Sequence, residues 1–378
     1  MKLLDFIVDL SARAVKNPKR YLRAGHNGPY NDPETEVRNK SHWLITLGKI
    51  YKITGEIKYI DQVRQLSDYL VSTEARPYGF SFYHRNSSGW DKCNGLIGQA
   101  WTIEALASAT DVLDDKKYIN VAKEVFSQHH FNRKYGLWNR LEIDGQILSI
   151  DDTLNHQLWF AASGSLLNSS DTNQYVNRFL DLLTGNITIL NNGLIYHPIE
   201  RSLINLSYVE YVKYVFIYFR KRINEGRIAK VDQKKINSER EHMIYKSQGY
   251  HQFNMYAFAI LKKQISTHPF WRSSDFNKTV DYLISKEFKN EIASNSYGFS
   301  YNPPGFELPF AMSVLCDMEE DELLESCKYW INEQLKVSYN PVTRMMDRNT
   351  DDPITQTARI YELTRVPDSI LESIEVHI

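Results

Sequence analysis

The sequence predicts an all-α ring of helical hairpins, an α/α toroid, and three observations carry that prediction. Glycine-centred phrases return at a fixed distance: Tyr78-Gly79-Phe80, Tyr135-Gly136-Leu137 and Asn192-Gly193-Leu194 stand 57 residues apart (136 − 79 and 193 − 136). Tyr297-Gly298-Phe299 follows after nearly two further periods, and self-similarity at such a period marks stacked supersecondary units. Between the phrases, apolar residues recur at helical spacing, two helices to each period. Finally, the turn chemistry fits: a glycine after each second helix supplies a positive φ, and polar lead-ins with Ser, Asn or Asp precede the next helix.

In chain order, residues 3–16 read as an amphipathic helix, broken by Asp5 and Asp9 and so unlike the apolar stretch of a signal peptide. Hairpins follow at 41–53 with 57–72, turning at Thr54-Gly55-Glu56, at 97–110 with 115–128, and at 154–167 with 172–184. An aromatic helix at 206–224 leads into a polar insertion near 220–245, after which pairing resumes at 250–265 with 274–287 and at 307–317 with 320–335. A last helix at 354–364 is placed to pair with 3–16 and close the ring. This gives six or seven hairpins in one domain, 1–378, with an open solenoid of the same pairs as the alternative. The lead-ins Phe80 to Trp90 and Leu137 to Ile150 alternate briefly and predict short β-hairpins in the loops at one end.

Bulk composition narrows the partners. The 45 Lys+Arg against 46 Asp+Glu give a net charge of −1, which asks for no nucleic acid. Cys93, Cys316 and Cys327 are an odd set without metal-ligand spacing, which points to a reducing, cytoplasmic setting and calls for no metal or other cofactor. No segment reaches the roughly 18 apolar residues of a membrane span. Aromatic residues make up 13% of the chain, with 24 Tyr and 7 Trp; most belong to packing between helices, and the remainder are available to stack on sugar rings.

If the first helix of each pair is the inner one, its N-terminus opens on the loop end, where unpaired N–H groups attract anions and hydroxyl oxygens. His42, Gln99 and His156 recur there at the same 57-residue spacing, each close before Trp43, Trp101 or Trp159, and His251 opens a later helix just ahead of Asn254. A histidine at a helix start is commonly structural; several in equivalent places suggest proton transfer near neutral pH. Asp91, next to Trp90, and the pair Asp151-Asp152 stand just before inner helices. Two carboxylates across a cavity suit cleavage of a glycosidic bond, while simple N-capping is the competing reading. Glu210 and Glu307 lie at or before first helices, and Arg85 and Arg348 are candidate clamps for an acidic sugar.

On two phrases the chain resembles the six-hairpin glycosidase-like superfamily, especially unsaturated glucuronyl hydrolases: Gly98-Gln99-Ala100-Trp101 and Ile150-Asp151-Asp152-Thr153-Leu154-Asn155. In those hydrolases the two phrases come in the opposite order. The resemblance implies a catalytic acid/base at Asp151 with a second carboxylate at Asp91. The toroid is also similar to that of N-acylglucosamine 2-epimerases, which implies His156 and His251 as an acid and base pair. The sequence therefore favours a carbohydrate-active enzyme with a saccharide substrate that is acidic or N-acylated. Hydrolysis by Asp91 and Asp151 leads, epimerisation in polysaccharide biosynthesis is the second reading, and a non-catalytic glycan-binding toroid is the third. His42, Arg85, Trp90, Gln99, Trp101, Asp152, Trp159, Glu210, Asn254, Glu307 and Arg348 are the candidate substrate contacts.

Overall fold

A computed structural model of the chain describes residues 1–199 and 233–377. In chain order the helices are α1 (Leu3–Lys16), the single turn α2 (Pro18–Tyr21), α3 (Val37–Thr54), α4 (Ile57–Leu70), α5 (Gly95–Leu113), α6 (Lys116–Gln128), α7 (Leu154–Ser165) and α8 (Ser170–Asn186). After the undescribed residues come α9 (Gln233–Gln264), α10 (Ser274–Leu283), α11 (Lys286–Ala293), α12 (Pro304–Leu315), α13 (Glu320–Ser338), α14 (Pro353–Ala358), a 3₁₀ helix over Arg359–Arg365, and α15 (Asp368–Ser373).

Burial separates the helices into two rings. On α4 only Tyr59, Val63, Leu66, Ser67 and Leu70 are buried, one stripe at helical spacing, as expected for a helix with one face to solvent. On α5 every residue from Gly95 to Ala107 is buried, which requires neighbours on all sides. The inner helices α3, α5, α7, α9 and α12 each pack on the next, and the 3₁₀ helix 359–365 packs on both α12 and α3. That last contact closes six inner positions into a ring. Outside it, α4, α6, α8, α10 with α11, and α13 each lie against their own inner helix, and α1 packs on α15, α3 and α4. The chain ends meet where Leu3 N–H donates to Ile374 O (2.9 Å) and Val376 N–H to Met1 O (2.9 Å). The predicted toroid is thus the observed fold, with six hairpin positions.

Several local expectations change. The Leu137–Ile150 lead-in does form a hairpin: β1 (Phe131–Asn132), β2 (Leu137–Leu141) and β3 (Ile147–Ile150) make a small antiparallel sheet. The Phe80–Trp90 lead-in does not fold on itself. It pairs instead with the segment before α3, through Thr35 N–H to His84 O (2.8 Å) and Asn86 N–H to Pro33 O (2.7 Å). Gly79, Gly136 and Gly193 do take positive φ (75°, 68° and 95°), but none caps a helix. Each closes a tight turn several residues downstream, Gly136 N–H on Asn132 O and Gly193 N–H on Leu190 O; Gly298 is not among the positive-φ residues.

The described part of the expected polar insertion, 233–245, is the first stretch of α9. The aromatic helix expected at 206–224, and Glu210 with it, lie outside the described residues. Among the described residues no helix is long and apolar enough to cross a membrane.

Candidate active site

At the loop end of the ring, the first turns of α3, α5 and α7, the middle of α9 and the lead-in segments of the hairpins surround a cavity of about 300 Å³. Its walls carry aromatic faces from Trp90, Trp101, Tyr30, Tyr250, Tyr301 and Phe253, and cations from Arg38, Arg85, Lys246 and Arg359. Asp32 is the one carboxylate lining it among the described residues, and both its oxygens are engaged, one by Arg85 Nε and the other by Ser87 Oγ. Aromatic walls with a few converging polar groups describe a pocket for a small polar ligand, and the excess of cations favours an anionic one.

The N-terminus of α5 organises one side. Asn94 stands at φ 56° and Gly95 at φ 58°, a left-handed pair that turns the first helical N–H groups toward two carboxylates. Asp91 Oδ1 accepts from Gly95 N–H (3.0 Å) and Asp151 Oδ2 from Leu96 N–H (3.0 Å). Asp91 also binds Arg85 Nη1 (3.1 Å) and Arg140 Nη1 (2.5 Å). Burial alone would raise its pKa, but the Gly95 amide and the two guanidinium groups outweigh it and hold the carboxyl below its ordinary value.

Asp151 is 4% exposed and accepts from three donors: Leu96 N–H, Thr153 N–H (3.2 Å) and His156 Nδ1 (2.8 Å). Burial again pushes up, and His156 with the backbone amides brings the net shift downward. An ionised Asp151 can only accept, so Nδ1 of His156 donates to it, and in the tautomer this bond selects Nε2 is the acceptor. His156 lines the cavity, and its Nε2 has no partner among the described residues. Gly95 makes room for the pair: a Cβ there would stand 2.7 Å from both Asp151 Oδ2 and His156 Nδ1.

Four expected site residues line this cavity: His156, Arg85, Trp90 and Trp101. Asp91 and Asp151 sit just behind the wall, serving Arg85 and His156. The others lie elsewhere. His251 is fully buried, with Nδ1 accepting from Ile195 N–H (3.4 Å) and Nε2 on Thr279 O (3.1 Å); burial holds its pKa down to about 3. It therefore braces an inner helix to its neighbours and does not face His156. Gln99 likewise ties Phe82 N–H and O (2.7 and 3.0 Å) and Cys93 O (2.7 Å) to α5.

His42 stacks on Tyr361 at 4.2 Å with both nitrogens unpartnered, and burial drives its pKa well down. Trp159 packs on Phe253 and donates to its carbonyl (3.2 Å). Asn254 is wholly buried, Arg348 is exposed, and the main-chain oxygen of Asp152 accepts from Ile199 N–H (3.0 Å). Glu307 is buried beneath the floor, paired with Arg359.

The residues that sequence reasoning passed over are mostly in that floor. Arg359 binds Glu307 and Glu362 together, and burial pushes both carboxyls up, Glu362 to about 7. Arg38 pairs with Glu34 (2.9 Å) and lies 4.0 Å over the Trp101 ring. His197 lines the wall with its ring 4.5 Å from Tyr250, and Tyr250 shares a 2.8 Å hydrogen bond with Tyr30. Arg38 stands one helical turn before His42, the one signal that marked its place on α3.

A closed ring of helical hairpins with a polar, aromatic-walled cavity at its loop end is an α/α toroid. The chain belongs to the family of archaeal glycosylation protein Q: it is 41% identical over 386 residues to the protein of that name from Haloferax volcanii, covering 97% of this chain and 98% of that one. No protein-family model matches the sequence.

Solved structures agree on the fold at low identity. A sugar epimerase from a ruminal bacterium superposes with TM-score 0.59 at 10% identity, covering 99% of this chain and all of that one. An unsaturated glucuronyl hydrolase specific for heparin gives 0.57 at 11%, covering 96% and 95%. An inactive variant of an α-1,6-mannanase from Salegentibacter, with two adjacent aspartates changed to asparagine and mannotriose bound, gives 0.57 at 11%, covering 98% and 100%.

Proposed function

We propose that the chain is a carbohydrate-active enzyme of glycan assembly in which His156 moves a proton on an acidic sugar, an epimerisation or isomerisation. The observation that carries this reading is the Asp151–His156 pair: a buried, ionised carboxylate fixes Nδ1–H and leaves Nε2 for the cavity. A base so placed removes the hydrogen from a carbon beside a carbonyl or carboxyl carbon. The electron pair moves onto that group's oxygen, and return of a proton to the opposite face inverts the centre. Cations in the wall stabilise the oxyanion that develops. His197 is the candidate for the second proton-handling group. The glycosylation role named for the Haloferax relative supports a sugar of glycan assembly as substrate, and the net positive lining supports an acidic one.

A second reading, hydrolysis, has a specific observation behind it. Asp91 and Asp151 accept from consecutive amides of one helix, and Asp151-Asp152 is an adjacent pair like the one replaced in the inactive mannanase. Against it, Asp91 and Asp151 are both held below the ordinary carboxylate pKa, and a retaining or inverting glycosidase needs one carboxyl protonated to release the leaving oxygen.

The two readings separate in heavy water. Incubation with uronate-containing di- and trisaccharides is expected to place deuterium on carbon without chain cleavage, and His156→Ala to stop it. Release of a new reducing end with oxygen from solvent, and no carbon-bound deuterium, would overturn epimerisation in favour of hydrolysis.

A further inference from the structure

We infer that the anionic group of the ligand is bound by Arg38, with Lys246 as its electrostatic partner, and not by Arg85 or Arg359. The inference rests on the acidic-sugar reading of this cavity and assigns its specificity. Four cations line the wall, and their hydrogen bonds sort them. Arg85 is engaged at all three nitrogens: Nε on Asp32, Nη1 on Asp91 and Nη2 on Asn94 Oδ1 (2.7 Å). Arg359 is too, with Nε on Glu362 (3.0 Å), Nη1 on Tyr301 O and Asn302 Oδ1 (3.1 and 2.9 Å), and Nη2 on Glu307 and Glu362. These two guanidinium groups hold the wall and floor together.

Arg38 differs. Only Nη1 is engaged, by Asn27 Oδ1 (3.1 Å) and Glu34 Oε1 (2.9 Å); Nε is buried without a partner, and Nη2 has no hydrogen bond among the described residues. Trp101 covers the guanidinium face at 4.0 Å, so the free Nη2 is held in one orientation. Such a donor makes a charge-assisted hydrogen bond to a carboxylate oxygen, and its fixed geometry lowers the entropy cost of the contact.

Lys246 comes from α9, three inner positions away around the ring. It has no carboxylate partner among the described residues, and its ammonium rests 5.2 and 5.5 Å from the Tyr30 and Tyr250 rings. A half-buried cation without a counter-ion is stabilised when an anion enters beside it, and burial does lower the Lys246 pKa.

The test is the binding of D-glucuronate against its uncharged methyl ester by calorimetry or ligand-detected NMR. Wild type is expected to prefer glucuronate about tenfold or more, the worth of a charge-assisted pair. Arg38→Gln is expected to abolish that preference while leaving the ester's affinity unchanged. Arg38→Lys keeps the charge without the fixed guanidinium geometry and is expected to restore only part, and Lys246→Gln to reduce the preference severalfold.

Should Arg38→Gln fail to fold because Glu34 is left unpaired, the Glu34→Gln/Arg38→Gln double variant removes both buried charges and reads the same quantity. A folded Arg38→Gln variant, single or double, that still prefers glucuronate overturns the assignment and leaves the acidic-sugar reading standing. A Lys246→Gln variant with undiminished preference removes Lys246 from it. Wild type that binds ester and acid alike, or neither, overturns the acidic-sugar reading itself.

Discussion

The second and third hairpins share one joint, and they differ in what is built on it. In the second, Gln99 accepts from Phe82 N–H and donates to Phe82 O and Cys93 O. In the third, Gln157 accepts from Trp138 N–H (2.9 Å) and donates to Trp138 O and Asp151 O (both 2.8 Å). The amide stitches the lead-in strand to the inner helix in both. Aligned on this joint, Cys93 stands where the third hairpin has Asp151, and Gly98 where it has His156. The scaffold is therefore repeated in these two hairpins, while the buried Asp–His pair is present in only one of them. The proposed chemistry and the bracing fall on neighbouring residues of the same helical turn, and separate substitutions should pull them apart.

The largest effect belongs to the pair. His156→Asn is expected to lower kcat by roughly 10²–10⁴, the usual worth of a positioned acid or base, with little change in Tm; intact turnover would remove His156 from the chemistry. Asp151→Asn should lower activity about 10–100-fold through loss of the ring's orientation. It should also cost stability of about 1–2 kcal/mol because the α5 terminus loses an ionised acceptor, both readable by kinetics and denaturant titration.

The braces come next. Gln99→Leu and Gln157→Leu each strand three buried backbone groups and should cost about 3 kcal/mol in urea unfolding. Only Gln157→Leu, which frees the Asp151 carbonyl, should also depress activity in the molecules that remain folded. Equal activity losses from both would sink the division between brace and chemistry.

A smaller effect follows from pH. His42, His84, His129, His197 and His251 are all buried, and burial holds their pKa values below the ordinary 6.5, His84 and His251 near 3 and His129 near 4. Above 6.5 these rings are neutral in both folded and unfolded chains. As pH falls below that value the unfolded chain takes up protons that the folded one refuses, so this stability is lost progressively on acidification. A Tm that stays level from pH 7 to 5 would contradict it. Glu362, raised to about 7, has the opposite sign, its contribution fading as pH rises through that value. Smallest is His42→Phe. Neither ring nitrogen has a partner, so an apolar ring of similar shape should leave stability within about 1 kcal/mol or improve it.

Much of the ring was legible because repetition and amphipathic spacing are properties of the chain itself: the inner and outer helices fell where the periodicity placed them. The joint was nearly legible. The 57-residue spacing aligned His156 with Gln99, one residue away from Gln157, and so merged the brace with the chemistry. His251 looked like His156 at the start of an inner helix; it lies well inside α9, and its ring meets a backbone N–H and a backbone carbonyl where that of His156 meets a buried aspartate.

Arg38 could not be singled out from Arg85 by any pattern. Its distinction is that its neighbours leave part of the guanidinium unsatisfied, and that depends on the segment with Asn27 and Glu34 meeting Trp101 of a later helix. The tyrosine pair Tyr30 and Tyr250 is a meeting of residues 220 positions apart, which local sequence does not encode.

The meeting of Leu3 with Ile374 and of Met1 with Val376 has a mechanical corollary. A solenoid frays from its outermost repeat, but in this molecule the seam between first and last helices is stitched like any other joint. Every inner helix is then held from both flanks, and the cavity's width is fixed around its whole circumference. Joining residues 1 and 376 through a short linker and reopening the chain at the Thr54–Glu56 turn should give a permutant with the same pocket. Removing residues 374–377 should instead let the wall beside the 353–365 segment relax, loosening the grip on any ligand bound there.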